Sequence, residues 1–186
     1  MGILVSLLWI IPGPALEYVQ YDIQIFRGTK NTVLNLALNR LDDSRFSIHC
    51  RKPAAGSWFT YWATDRENVL LFPRADVAFV GPAGQRFRLF PGGPELAREQ
   101  WLALLLDRPF EELDGFFFQK DDDWRMITAS DRSLIVRWRE RKRAFKESYK
   151  AKVLEPDLKP GTETRSLSRF SEYWDGLDED EMPREN

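Results

Sequence analysis

From residue 17 the chain alternates between apolar and polar positions with a period of two. Val19, Tyr21, Ile23 and Ile25 alternate with Gln20, Asp22 and Gln24, the pattern of a strand with one buried face. Arg27-Gly28-Thr29-Lys30-Asn31 reads as a hairpin connection, and Leu34, Leu36 and Leu38 resume the alternation. Leu41-Asp42-Asp43-Ser44 turns the chain, and Phe46, Ile48 and Cys50 share the next face. Pro53-Ala54-Ala55-Gly56 ends that strand. An aromatic strand follows over residues 58–64, then short strands over 69–72, 77–80 and 87–90. Strands at this spacing, joined by tight turns, imply an antiparallel meander.

The period changes once. Pro94-Glu95 opens a stretch to residue 107 without Gly or β-branched residues. Pro suits a first helical turn, and Glu95 complements the helix dipole. Ala97, Trp101, Leu104 and Leu105 fall on one helical face, which Leu102 and Leu106 widen. A helix this apolar needs a cover, and the open side of the sheet is the simplest one. Strands resume over 124–129 and 133–139, then 144–154, and a last strand is predicted over 164–174. The expected fold is mostly β: a curved antiparallel sheet or incomplete β-barrel, with one helix at about 95–107 on its concave side. Inward positions are Ile23, Leu36, Ile48, Phe59, Tyr61, Phe79, Phe87, Leu89, Trp101, Leu105, Val136 and Trp138. They are the candidate lining of an apolar ligand cavity.

The composition sharpens this picture. Thirteen Phe, seven Trp and five Tyr are either an ordinary aromatic core or the lining of a wide apolar pocket. The net charge of −2 gives no overall attraction to nucleic acid, and no nucleic-acid partner is expected. The sign is uneven, however. Residues 175–186 carry six acids and one base, an acidic tail too poor in apolar residues to fold alone. Residues 137–152 carry eight bases and two acids, interleaved with Trp138, Phe145 and Tyr149. Arg137, Arg139, Arg141 and Arg143 are therefore candidate contacts to anionic headgroups beside the cavity mouth, orienting the protein transiently at a membrane. The competing reading is a solvated edge strand protected by its charges.

Catalytic chemistry finds little to stand on. His49 is the only histidine and Cys50 the only cysteine, so a Cys/His zinc site is excluded in a monomer. No nucleophile motif accompanies His49, which reads as a surface imidazole. Cys50 reads as a small core residue. Asp121-Asp122-Asp123 lacks the spaced ligands of a calcium loop and reads as a hairpin tip. Gly81-Pro82-Ala83-Gly84 lacks the Lys and spacing of a phosphate loop. Neither enzyme activity, cofactor nor metal is expected. Residues 3–11 are apolar but for Ser6, too short to span a bilayer. Followed by Gly13-Pro14-Ala15, they resemble the apolar core and cleavage region of a secretory signal, although no Lys or Arg precedes them. Three regions are expected: a signal or apolar segment over 1–15, one β domain over 16–174, and the tail.

Element order and several short stretches resemble the LolA/LolB group of bacterial lipoprotein carriers. Phe46-Ser47-Ile48 followed by Lys52-Pro53-Ala54-Ala55-Gly56-Ser57 resembles the strand running into that group's Pro-x-Gly loop. Asn68-Val69-Leu70-Leu71-Phe72 resembles the next core strand, and Trp101-Leu102-Ala103-Leu104-Leu105-Leu106 with Pro109 resembles the lid helix and its exit. Asp123-Trp124-Arg125-Met126-Ile127 and Leu134-Ile135-Val136-Arg137-Trp138 resemble the late hairpin. Arg169-Phe170-Ser171-Glu172-Tyr173 and Leu177-Asp178-Glu179-Asp180 resemble the closing strand and acidic exit. The resemblance implies an incomplete barrel with a helical lid over a cavity for lipoprotein acyl chains. It implies a monomeric carrier, periplasmic or outer-membrane associated, whose partners are lipoproteins or lipid acyl chains. Two features depart from the group: the helix ahead of its first strand has no counterpart, and no Cys stands where a lipid anchor would. Its Pro-x-Gly loop projects a bulky apolar residue, where this chain has Ala54 and Ala55. The alternative is a structural or interaction protein of the envelope, with a filled core and a basic contact strand.

Overall fold

The computed structural model describes residues 15–109 and 113–176. The apolar run at 3–11 and the acidic run from 177 onward lie outside the described residues. Six strands form the meander: β1 (Leu16–Arg27), β2 (Lys30–Arg40), β3 (Phe46–Lys52), β4 (Gly56–Ala63), β5 (Glu67–Phe72) and β6 (Val77–Pro82). Their register follows the alternation, so that Ile23 opposes Leu34, Leu36 opposes Cys50, Ile48 opposes Tyr61 and Leu70 opposes Phe79. Directly opposed residues project from the same face, and these apolar pairs build one continuous inner face. The β1–β2 turn has only two residues between the paired Arg27 and Lys30. Gly28 sits there at φ +56°, a conformation that costs glycine little.

After the meander come a short ribbon, β7 (Phe87–Arg88) with β8 (Glu95–Leu96), and the helix α1 (Arg98–Leu105). The chain returns to the sheet in β9 (Phe116–Asp121), β10 (Trp124–Ala129) and β11 (Leu134–Lys146). It ends in β12 (Glu163–Ser166) and a short helix α2 (Phe170–Gly176). One ten-stranded sheet results, in the order β12-β6-β5-β4-β3-β2-β1-β11-β10-β9. It is not closed: β9 and β12 are its two edges.

The expected mostly-β fold, with a helix covering the open face, is present. Several particulars differ. The helix is shorter than 95–107, because Glu95 and Leu96 pair with β7 first. Strand β9 was not anticipated. The segments read as separate strands over 133–139 and 144–154 are instead one long strand ending at Lys146, and residues 151–153 form a 3-10 turn. The last strand stops at Ser166, whose hydroxyl accepts a hydrogen bond from the Ser168 amide as the chain turns into a 3-10 segment. Strand β12 also runs parallel to β6, so the sheet is mixed.

Helix α2 is the physical reason for the changed ending. Phe170 and Tyr173 lie one helical turn apart, and both rings meet Phe72 and Phe79 on the inner face, at centroid distances of 5.0–5.8 Å. Among the described residues two helices, not one, therefore cover that face. Gly81 makes room for this ending, since a Cβ there would stand 2.8 Å from Leu167 Cβ.

Candidate functional site

The lid helix buries Arg98, Trp101, Leu102, Leu104 and Leu105 against the sheet. At its start, the Gln100 side chain accepts a hydrogen bond from the Ala97 amide at 3.0 Å. The Arg98 guanidinium donates to the Thr64 carbonyl at 2.5 Å. The Trp101 indole donates to the Phe87 carbonyl at 3.0 Å, tying the helix to the ribbon beside it. At the other end, the Tyr21 hydroxyl donates to the Leu105 carbonyl at 2.8 Å. Burial pushes the Tyr21 pKa well up, which keeps the hydroxyl protonated as a donor.

Between lid and sheet lies an apolar cleft. Ile23, Val136 and Trp138 line it from β1 and β11, and Trp101 and Leu105 from the lid. Phe90, Leu104 and Ile127 complete the lining; they were not among the anticipated residues. Leu104 already stood on the apolar face of the helical repeat, and Ile127 had the right parity in the late hairpin. The other anticipated residues, Leu36, Ile48, Phe59, Tyr61, Phe79, Phe87 and Leu89, are buried in the same core but do not reach the cleft. The cleft measures about 10 Å³, barely the space of one water. In this conformation the side chains of α1 nearly fill the space between helix and sheet.

An ion-pair chain borders the lid's C-terminal end. Arg108 contacts Asp43 at 2.9 Å, and Arg40 bridges Asp43 and Glu17 at 2.8 and 2.6 Å. Arg143 contacts Glu17 at 2.6 Å and Glu140 at 2.7 Å. Asp107, just past the helix, receives Lys120 at 2.7 Å and Arg125 at 3.2 Å. Hydrogen bonds from Arg108, Lys120 and Arg143 hold Asp43, Asp107 and Glu140 respectively below the usual carboxylate range.

The four arginines proposed as headgroup contacts do not form one patch at a cavity mouth. Arg137 and Arg139 oppose Gln24 and Asp22 on the outer face, where their guanidinium groups lie 4.7 and 4.9 Å from the Trp124 ring centroid. Arg141 reaches Asp22 at 3.5 Å, also outside. A register shift between Gln20 and Tyr21 then turns Arg143 inward, opposite Val19. One irregularity in the ladder has split a run that looked uniform in sequence.

His49 is half-buried on the outer face rather than on the surface, between the hydroxyls of Ser47 at 3.2 Å and Thr60 at 3.3 Å. Burial and then Arg51 lower its pKa. It lines an outer groove of about 860 Å³ with Asn35, Asn39, Arg51 and Arg141. Cys50 is buried in the core, where desolvation pushes its thiol pKa up. Among the described residues, no group of three or more His, Cys, Asp or Glu side chains could hold a metal.

No family model matches the sequence, and no curated protein matches it. Among solved structures, the chain is similar to a LolA superfamily protein from Nitrosomonas europaea. The likeness covers 78% of this chain and 91% of that one, at 6% identity and a TM-score of 0.43.

The latch at Tyr21 yields a specific expectation. Tyr21→Phe removes the donor to Leu105 and keeps the ring. A loss of about 1 kcal/mol of stability is expected, together with faster hydrogen exchange in residues 98–105. Unchanged exchange in the lid would show that this hydrogen bond does not hold it.

Proposed function

We propose that this chain is a non-catalytic carrier that takes the acyl chain of a lipid or lipoprotein into the cleft beneath α1. The observation behind this reading is the lid itself. An apolar helix lies across the inner face of an unclosed sheet, and it occupies the space between Ile23, Ile127, Val136 and Trp138. Lid and acyl chain then compete for one apolar surface. Each buried methylene contributes about 0.8 kcal/mol, and release follows when Trp101, Leu104 and Leu105 return. Such exchange involves no covalent step, so no catalytic residue is assigned. The resemblance of the late hairpin and lid stretches to the LolA/LolB group extends the reading to a monomeric carrier in the bacterial envelope, periplasmic or outer-membrane associated.

Mass spectrometry of gently purified protein is the test, paired with displacement of a fluorescent fatty acid. Co-purified lipid or lipopeptide, with saturable displacement, is the expected result. Clean protein without displacement would favour the second reading, an envelope interaction protein with a filled core. The closure of the cleft to about 10 Å³ is what keeps that reading in play.

A further inference from the structure

We infer that Arg125 and Trp138 form a polar seat at one end of the cleft, receiving the anionic oxygen head of the acyl ligand. The inference rests on the carrier reading and specifies its ligand. Arg125 on β10 directly opposes Trp138 on β11, so both project from the inner face. Trp138 lines the cleft, and Ile127, two residues beyond Arg125 on the same face, lines it as well.

Both side chains hold unused donors. Arg125 Nη2 reaches Asp107 at 3.2 Å, but Arg125 Nε and Nη1 are buried without a hydrogen-bond partner among the described residues. The same is true of Trp138 Nε1. Buried donors are nearly always satisfied, and each one left without an acceptor is costly. Arg125 does not itself line the closed cleft, but its cross-strand partner Trp138 does, and three such donors on one opposed pair call for a ligand with acceptor oxygens at one end and a hydrocarbon at the other. The surrounding charge gives the sign. Arg40, Arg108, Lys120, Arg125 and Arg143 face Glu17, Asp43, Asp107 and Glu140, an excess of one positive charge. A guanidinium fork suits a carboxylate or a phosphate alike.

The seat is also coupled to the lid. Asp107 follows α1 directly and is the present partner of Arg125. An incoming anionic head competes with Asp107 for that guanidinium, loosening the helix end while the acyl chain displaces its apolar face.

The test uses the full chain with dansyl-undecanoic acid and its methyl ester, which share a chain and differ in head charge. Wild type is expected to prefer the acid by at least about tenfold. Arg125→Met should erase the preference while ester binding persists, and Trp138→Phe should weaken acid binding more than ester binding. Arg125→Lys keeps the charge but loses the fork, and should reduce the preference even if Arg125→Met fails to fold. Competition by lysophosphatidic acid against a free fatty acid separates a phosphate head from a carboxylate. Equal affinity of wild type for acid and ester, or a preference that survives both Arg125 substitutions, overturns the head-group seat and leaves the carrier intact. Binding of neither probe overturns both.

Discussion

Trp101→Ala should lose about 3–5 kcal/mol of folding stability and at the same time open the cleft to apolar ligands. The side chain is almost completely buried. It packs against Phe87 and Phe90 at centroid distances of 6.4 and 6.0 Å, and its indole satisfies the Phe87 carbonyl. Truncation therefore removes a large apolar contact, leaves a carbonyl without its donor, and enlarges the gap beside Ile23 and Trp138. The two effects have opposite functional signs, which makes the substitution informative. Urea denaturation followed by circular dichroism should show the lower midpoint. A fluorescent fatty acid should bind the variant faster than wild type under conditions where both are folded. Loss of stability without faster or tighter binding would mean that Trp101 is simply core, and that the space it fills is not a ligand site.

How much of this was legible depends on whether one face of a strand meets water. In β1 to β3 the polar Gln20, Asp22, Asn35 and His49 alternate along their strands with buried apolar neighbours, so the period could be read directly. Strand β9 hides because Phe116, Phe117 and Phe118 are consecutive, and a run of identical apolar residues carries no period. Phe117 is on the outer face of this edge strand and is 59% exposed. The long β11 hides for another reason: its register shift breaks the parity that would have joined 133–139 to 144–146. Helix α2 was missed although Phe170 and Tyr173 carry a helical spacing, because the segment is too short for periodicity to outweigh its Ser- and Arg-rich start.

The candidate site was legible only on its apolar side. The lid face and the inward residues of β1 and β11 follow from spacing. The charged end does not, because its partners meet only after folding: Asp43 and Arg108 are 65 residues apart, and Glu17 and Arg143 are 126 apart. The unsatisfied donors of Arg125 and Trp138 are likewise a property of the opposed pair and of burial, neither of which the sequence displays.

Asn68→Leu should destabilise the fold by about 3–5 kcal/mol, and for a different reason from Trp101→Ala. Asn68 is fully buried. Its side-chain oxygen accepts from the Tyr61 hydroxyl at 2.7 Å, while its NH₂ group faces the carbonyls of Pro82, Ala83 and Gln85 at 3.2, 3.0 and 3.3 Å. Leucine has similar bulk and no polar atom. It leaves the buried Tyr61 hydroxyl without its acceptor and removes a donor from the partly buried turn carbonyls, of which Pro82 keeps the Gln85 amide at 2.9 Å; a buried group left unsatisfied costs about 1–3 kcal/mol. Burial raises the Tyr61 pKa far above its ordinary value, so ionisation offers the phenol no escape. Combining Asn68→Leu with Tyr61→Phe removes one of the stranded groups. The double variant should lose less than the two single losses added together, a coupling measurable by urea denaturation of all four proteins. The consequence reaches the lid, because the 82–85 turn leads into β7 and the Phe87 ring lies between Tyr61 at 4.8 Å and Trp101 at 6.4 Å. Hydrogen exchange should therefore rise together in the turn, in β7 and in residues 98–105, whereas Tyr21→Phe should raise it in the lid alone. Purely additive losses, with exchange unchanged at β7, would mean that Asn68 is not the polar hub that holds the ribbon under the lid.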